Sequence, residues 1–147
     1  MSAEDALEAA LRALRHRDLS TADLERRLGS RGFDEEERAV AVATLQRTGV
    51  LDDRRFAELR AAALAGREAG DALIRHDLER AGVDSELVED AVRLVEPERE
   101  RARRIVERRG VDPKAIRYLA SKGFADETLA AVADFGVVAS GTADELG

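Results

Sequence analysis

The side chains that most often do chemistry are scarce in this chain. It has two histidines, His16 and His76, lying 60 positions apart, and no cysteine. Two imidazoles fall short of a three-histidine metal site, and without thiols there is no zinc–cysteine site, disulfide or thiolate nucleophile. His16 stands among Arg15, Arg17 and Asp18 at a helix end, where an imidazolium suits the helix dipole. His76 shares a polar side with Asp77 and Arg80. Carboxylates are plentiful, as in Glu35-Glu36-Glu37 and Glu89-Asp90, but they fall on the polar sides of amphipathic segments. General acid–base work needs a desolvated carboxyl with a shifted pKa. No glycine-rich phosphate loop, Gly-x-Ser-x-Gly elbow, His-Glu-x-x-His pair or EF-hand spacing occurs. No catalytic residue, metal or cofactor is expected, and an enzyme is the least favoured class.

The strongest local charge signal is the arginine cluster Arg99, Arg101, Arg103, Arg104, Arg108 and Arg109. It reads either as a basic stripe for an acidic surface or nucleic-acid backbone, or as a surface helix whose arginines pair with Glu100 and Glu107. The second reading is favoured, because mixed-charge helices are ordinary surface structure. Phe33, Phe56, Phe124 and Phe135 fall at core or helix-end positions, and none interleaves with arginine as a base-stacking platform would.

The elements that must carry these groups are helices. Among 147 residues, 44% are hydrophobic but only 3% aromatic, so Leu, Ala and Val fill the core, a composition that favours helix over strand. No apolar run approaches the ~20 residues of a membrane span, and no signal-peptide pattern is visible, so a cytoplasmic setting is expected. The net charge of −7 disfavours a protein whose main task is coating phosphates. Residues 1–52 hold 8 basic and 11 acidic side chains, residues 53–97 hold 7 and 11, and residues 98–147 hold 9 and 9, so the first two segments hold the whole excess.

An internal repeat organises the chain. Leu28 to Asp34 (Leu-Gly-Ser-Arg-Gly-Phe-Asp), Leu78 to Asp84 (Leu-Glu-Arg-Ala-Gly-Val-Asp) and Leu119 to Ala125 (Leu-Ala-Ser-Lys-Gly-Phe-Ala) each place a Leu four residues before a Gly, followed by an apolar residue. The Gly suits the left-handed position beyond a helix C-terminus, and Asp34 and Asp84 are ready N-caps for the next helix, with Asp126 one place later in the third copy. Successive glycines are 50 and 41 residues apart, as in repeated supersecondary units. Ser20 caps a helix with Asp23 at the capping-box position. Asp52 or Asp53 caps another, with Phe56, Leu59 and Ala63 inward, and Asp112-Pro113 starts a third. Leu7, Leu11 and Leu14 form the first apolar stripe. The spacing predicts an all-α, elongated and curved array of three three-helix units, about nine helices in all: 1–52, 53–97 and 98–136, then a flexible tail 137–147.

This pattern resembles the RecX family of recombination regulators, over most of the chain from about Leu11 to Val132. Arg17-Asp18-Leu19-Ser20 with Leu24, Leu28 and Arg31-Gly32-Phe33 is similar to the family's opening segment. Gly49-Val50-Leu51-Asp52-Asp53-Arg54-Arg55-Phe56-Ala57 is similar to its Gly-x-[Leu/Ile]-Asp-Asp-x-x-Phe-Ala junction, the most specific match. Gly70, Ile74, Arg75, Leu78 and Gly82-Val83-Asp84 keep the pattern, and Lys114, Arg117, Leu119 and Lys122-Gly123-Phe124 resemble its closing motif. Two stretches depart from it. Leu59 to Leu64 lacks the family's aromatic and basic run, and Glu68-Ala69-Gly70-Asp71 replaces a Gly-Lys-Gly-Pro-like turn. The resemblance implies a monomeric, non-enzymatic regulator that binds the RecA recombinase and its filament and inhibits it. The implied contacts are Arg27, Arg31, Arg75, Lys114, Arg117 and Lys122. The lost positive charge makes any single-stranded DNA contact weak and salt-sensitive. A helical protein-interaction module without strong filament or DNA binding is the alternative, and a helix-turn-helix DNA regulator is a weaker third.

Overall fold

A computed structural model describes residues 1–134 of the chain; Phe135 and the expected tail 137–147 lie outside them. Eight helices follow one another as α1 (Ala3–His16), α2 (Thr21–Ser30), α3 (Glu35–Arg47), α4 (Asp53–Gly66), α5 (Asp71–Arg80), α6 (Ser85–Leu94), α7 (Glu98–Arg109) and α8 (Pro113–Ser121). A ninth, α9, covers residues 126–134. No strand occurs among the described residues, and none of their helices is long and apolar enough to cross a membrane.

The repeated heptapeptide is one backbone device used three times. The N–H of Phe33, Val83 and Phe124 donates to the carbonyl of Leu28, Leu78 and Leu119 at 3.2, 3.1 and 3.1 Å. The N–H of Gly32, Gly82 and Gly123 donates to Gly29, Glu79 and Ala120 at 3.0, 2.9 and 3.2 Å. This is the Schellman pairing, with the glycines at φ 95, 76 and 86°. The Leu and the residue after the glycine are buried together in every copy, so each turn closes one helix over an apolar contact and aims the chain into the next. Asp34 then caps α3 in a capping box with Glu37. In the third copy the cap position holds Ala125, and Glu98 plays the part of Glu37, its Oε1 taking the Ala125 N–H at 2.9 Å.

The chain forms two compact bodies. One comprises Met1–Arg60 with Leu78–Ala91, and the other Ala61–Asp77 with the described residues from Val92 onward. The first is built on Ala6, Ala9, Ala10, Leu24, Leu28, Phe33, Val42 and Leu45. The second holds a cluster of Ala102, Ile105, Val106, Leu119, Phe124 and Val132. Two expected stripes hold only in part. In α1 Leu7 and Leu14 pack on the core as expected, but the buried residues are the alanines at 6, 9 and 10, and Leu11 is exposed. In α4 the inward residues are Phe56, Ala57 and Ala61, while Leu59 is 59% exposed and Ala63 is also outside. Alanine lets helices approach closely, so a row of alanines serves as the packing face and the bulkier leucine is left outside. Asp23 also departs from its expected role. Ser20 accepts the Asp23 N–H at 3.1 Å as predicted, but the Asp23 carboxylate pairs with Arg26 instead of completing a box.

Candidate functional site

The Asp-Asp-x-x-Phe-Ala stretch is the most specific motif, and its geometry divides the work residue by residue. Asp52 is the cap of α4, its Oδ1 accepting the Arg55 N–H at 3.1 Å. Asp53 turns to α2, where one oxygen accepts the Thr21 N–H at 2.8 Å and the Thr21 hydroxyl at 3.0 Å. Arg55 donates to the carbonyls of Gly49 and Val50, which follow α3. Phe56 and Ala57 are buried. The same end of α2 receives the turn after α5, as the Ser20 hydroxyl donates to the Ala81 carbonyl at 2.5 Å. The motif is therefore a joint tying α2, α4 and the α5 turn.

One repeat later the joint recurs with different residues. The N-terminus of α5 meets the turn after α8, with the Gly70 N–H donating to the Lys122 carbonyl at 2.8 Å and the Ala72 N–H to Gly123 at 3.3 Å. Glu98, at the start of α7, takes the Asp53 part: its Oε2 accepts the Asp71 N–H at 2.7 Å, and its Oε1 also accepts the Thr128 hydroxyl at 2.5 Å. The place of Phe56 is taken by Arg101, only 6% exposed. Its guanidinium donates to the carbonyls of Glu96 (2.7 Å) and Ala69 (2.6 Å), pairs with the Asp71 carboxylate and lies 5.8 Å from the centre of the Phe124 ring. Burial pushes the Asp71 carboxyl above its ordinary pKa, against the pull of Arg101. Burial acts the same way on Glu98, but the bonds from Thr128, Ala125 and Asp71 and the Arg101 charge outweigh it and hold Glu98 below its ordinary value.

The turn 68–71 and the arginines of α7 form a single charge system. Glu68 has φ 68°, a backbone conformation that favours glycine. Its carboxylate lies 3.1 Å from an Arg108 nitrogen and 3.4 Å from the Arg109 Nε. The second approach is an ion pair by distance only, because Glu68 Oε2 is buried with no hydrogen bond. Arg104 pairs with Glu96, and Arg109 also stacks 3.9 Å over the Tyr118 ring. The expected partners Glu100 and Glu107 do not appear in these pairs. Arginines of α7 reach instead to the acidic turn and to the α6–α7 link, since those carboxylates are fixed beside the helix whereas i±3 and i±4 partners stay solvated.

The six basic residues expected to meet a partner fall into two groups. Arg27 and Arg31, one turn apart at the end of α2, are exposed in the first body. In the second, Lys114 and Arg117 are exposed on α8, while Arg75 and Lys122 are half-buried. Arg75 acts electrostatically on Asp71, and Lys122 gives its carbonyl to the joint. Sequence reasoning missed Glu98 altogether, and for Arg101, Asp71 and Glu68 it missed the part they play in holding the helices together. The available signal was the repeat register, in which Phe56-Ala57 after Asp53 becomes Arg101-Ala102 after Glu98.

Fold and joints define a class: an all-α protein of three-helix units whose buried polar groups hold helices together. Comparison narrows that class. The family model described as "RecX, second three-helix domain" matches residues 52–92, the span from the first joint through most of α6. The chain is similar to the "Regulatory protein RecX" of Trichlorobacter lovleyi, 41% identical over 119 residues that make 76% of each chain. It is also similar to that of Stenotrophomonas maltophilia (strain R551-3), 33% identical over 133 residues, 84% of this chain and 82% of the relative. The crystal structure of RecX from Lactobacillus salivarius shares the fold with a TM-score of 0.79 at 19% identity, over 92% of this chain and 97% of that one. The chain belongs to the RecX family.

Proposed function

We propose that this chain is a non-enzymatic regulator that binds the RecA recombinase and its filament and restrains recombination and repair. The observation that carries the reading is membership of a family whose relatives are named regulatory proteins, at 41% identity over three-quarters of the chain. Arg27, Arg31, Arg75, Lys114, Arg117 and Lys122 are the proposed contacts, and four of them are exposed. Arginine can engage an acidic side chain or a phosphate bidentately. The proposed working form is a cytoplasmic monomer with units at 1–52, 53–97 and 98–136, and its contact with single-stranded DNA is weak and salt-sensitive. The test is RecA-catalysed ATP hydrolysis and strand exchange under increasing amounts of this protein. Inhibition and co-sedimentation with filaments are the expected results; neither effect at micromolar concentration would sink the reading.

A second reading is a helical interaction module that keeps the scaffold without a strong grip on filament or DNA. It is favoured by one observation: Arg101, Arg104, Arg108 and Arg109 are already paired within the chain. Restoring the family's turn by Ala69→Lys and Asp71→Pro is a poor way to decide. Ala69 is 1% exposed, and proline at 71 would remove both the N–H that Glu98 holds and the carboxylate that Arg101 holds. Glu68 is the better place to intervene.

A further inference from the structure

We propose that the groove between α1 and α2 binds a short acidic amphipathic segment of a partner protein, with two carboxylates a helical turn apart and one aliphatic side chain between them. Ala9, Ala13 and Leu28 line its bottom, and Arg12, His16, Arg27 and Arg31 stand around it; no carboxylate lines it. The chain carries 31 acidic against 24 basic side chains, yet no carboxylate offsets the four basic residues of this lining. Arg12, Arg27 and Arg31 make no side-chain ion pair or hydrogen bond among the described residues, whereas Arg104, Arg108 and Arg109 of α7 lie against carboxylates. In the adjoining depression Arg17 extends the basic rim, and the one acid there, Asp23, is held by Arg26.

The groove's dimensions and lining select the occupant. Arg12 and His16 are four residues apart on α1, as are Arg27 and Arg31 at the end of α2, and four residues rise ~6 Å along a helix. That is also the spacing of two carboxylates at i and i+4 on a ligand helix, and a Leu at i+3 falls on the same face. A phosphodiester strand suits the site less well. No aromatic ring lines it for a base to stack on, its floor is aliphatic, and a long polyanion meets the repulsion of the −7 chain. Arg27 and Arg31 are shared with the proposed recombinase contacts, but the ligand is defined by this chemistry whichever protein carries it, and a peptide titration without the recombinase can fail independently of the filament assays.

The probe is a fluorescein-labelled helical peptide carrying Glu-x-x-Leu-Glu, titrated with the full chain by anisotropy at physiological salt. Saturable binding is expected, with a loss of about tenfold or more in the Arg27→Ala/Arg31→Ala double variant. Both residues are exposed, and an unchanged melting curve verifies that the variant keeps its fold. A peptide with Leu replaced by Ser is expected to bind several-fold more weakly. Equal binding of that peptide, or of the double variant, would overturn the proposal by reducing it to diffuse attraction. Two further results would reassign the groove: stronger competition by oligothymidylate than by unlabelled peptide, or a dimer of the chain alone that the double variant dissolves.

Discussion

At the joint on α2, a serine hydroxyl reaches the incoming turn; at the joint on α5, a bare backbone N–H does. Ser20 and Gly70 occupy equivalent places, as do Asp53 and Glu98, and Phe56 and Arg101. The first joint satisfies its polar groups with short side chains over an apolar plug. The second brings two backbones together and replaces the plug with a guanidinium bonded to two carbonyls and a carboxylate. The repeat thus preserves a geometry, helix N-terminus against glycine turn, while the chemistry filling it is exchangeable. The exchange makes the second joint dependent on charge in a way the first is not.

The largest expected effect is at the plug. Arg101→Ala leaves the half-buried Asp71 carboxylate and the Ala69 and Glu96 carbonyls without their donor, and should lower stability by about 3–4 kcal/mol in urea unfolding. A loss below about 1 kcal/mol would mean that water takes over these bonds and that the two plugs differ little. Next is the closeness of approach. A Cβ on Gly70 would lie 2.4 Å from Gly123 and Phe124 backbone atoms, which cannot give way as a side-chain end can. Gly70→Ala is expected to cost about 2–3 kcal/mol, and Ser20→Ala, which removes a cap and one bond, about 1–2 kcal/mol. Equal costs would erase the distinction between a backbone joint and a side-chain joint.

The pH response sharpens the comparison at smaller energies. The lowered pKa of Glu98 means that its contribution is fully present above the ordinary carboxylate range and is lost as pH falls through its folded pKa. Glu98→Gln should therefore cost about 1 kcal/mol near neutrality and progressively less toward acid pH. Asp71 has the opposite sign: its raised pKa marks a penalty present above the folded value and relieved as that value is crossed downward. Asp71→Asn should accordingly show a pH trend of opposite slope. Thermal melts of both variants from neutral to acid pH measure the two slopes.

How much of this was legible beforehand depended on whether a signal was local. The glycine turns, the Asp34 cap and the Asp112-Pro113 start are written in adjacent residues and recur as read, whereas the sequence leaves the α4 cap open between Asp52 and Asp53 and the structure gives it to Asp52. The inward faces of α1 and α4 are legible only in part, at Leu7, Leu14 and Phe56, because alanine gives periodicity no contrast: Ala57 and Ala61 are fully buried beside an exposed Leu59. Among the arginines of α7, the sequence shows a cluster but not its partners, since helical spacing carries no information about Asp71, 30 residues from Arg101, or Glu68, about 40 residues from Arg108 and Arg109. Each candidate contact is visible in the sequence only within its own motif, and it is the packing of α1 on α2 that places Arg27 and Arg31 in one groove with Arg12 and His16.

The smallest stability effect is expected at Glu68, and there the balance of two terms matters more than either. Glycine at this position relieves a left-handed backbone, a gain of roughly 1 kcal/mol. The same change removes ion pairs to Arg108 and Arg109, whose side chains are 64% and 43% exposed, so their loss is of similar or smaller size once solvent screening is counted. Glu68→Gly should therefore shift the unfolding midpoint little in either direction. What changes is the field: two arginines lose their carboxylate on a helix that already carries six. Binding to single-stranded DNA at low salt should rise several-fold, and its salt dependence should steepen by roughly one to two phosphate contacts. A neutral melt with stronger DNA binding would identify the acidic turn as the element that separates α7 from phosphate. A neutral melt with unchanged binding would leave those arginines to the fold alone, and the two joints would then differ in mechanics but not in their consequences for partners.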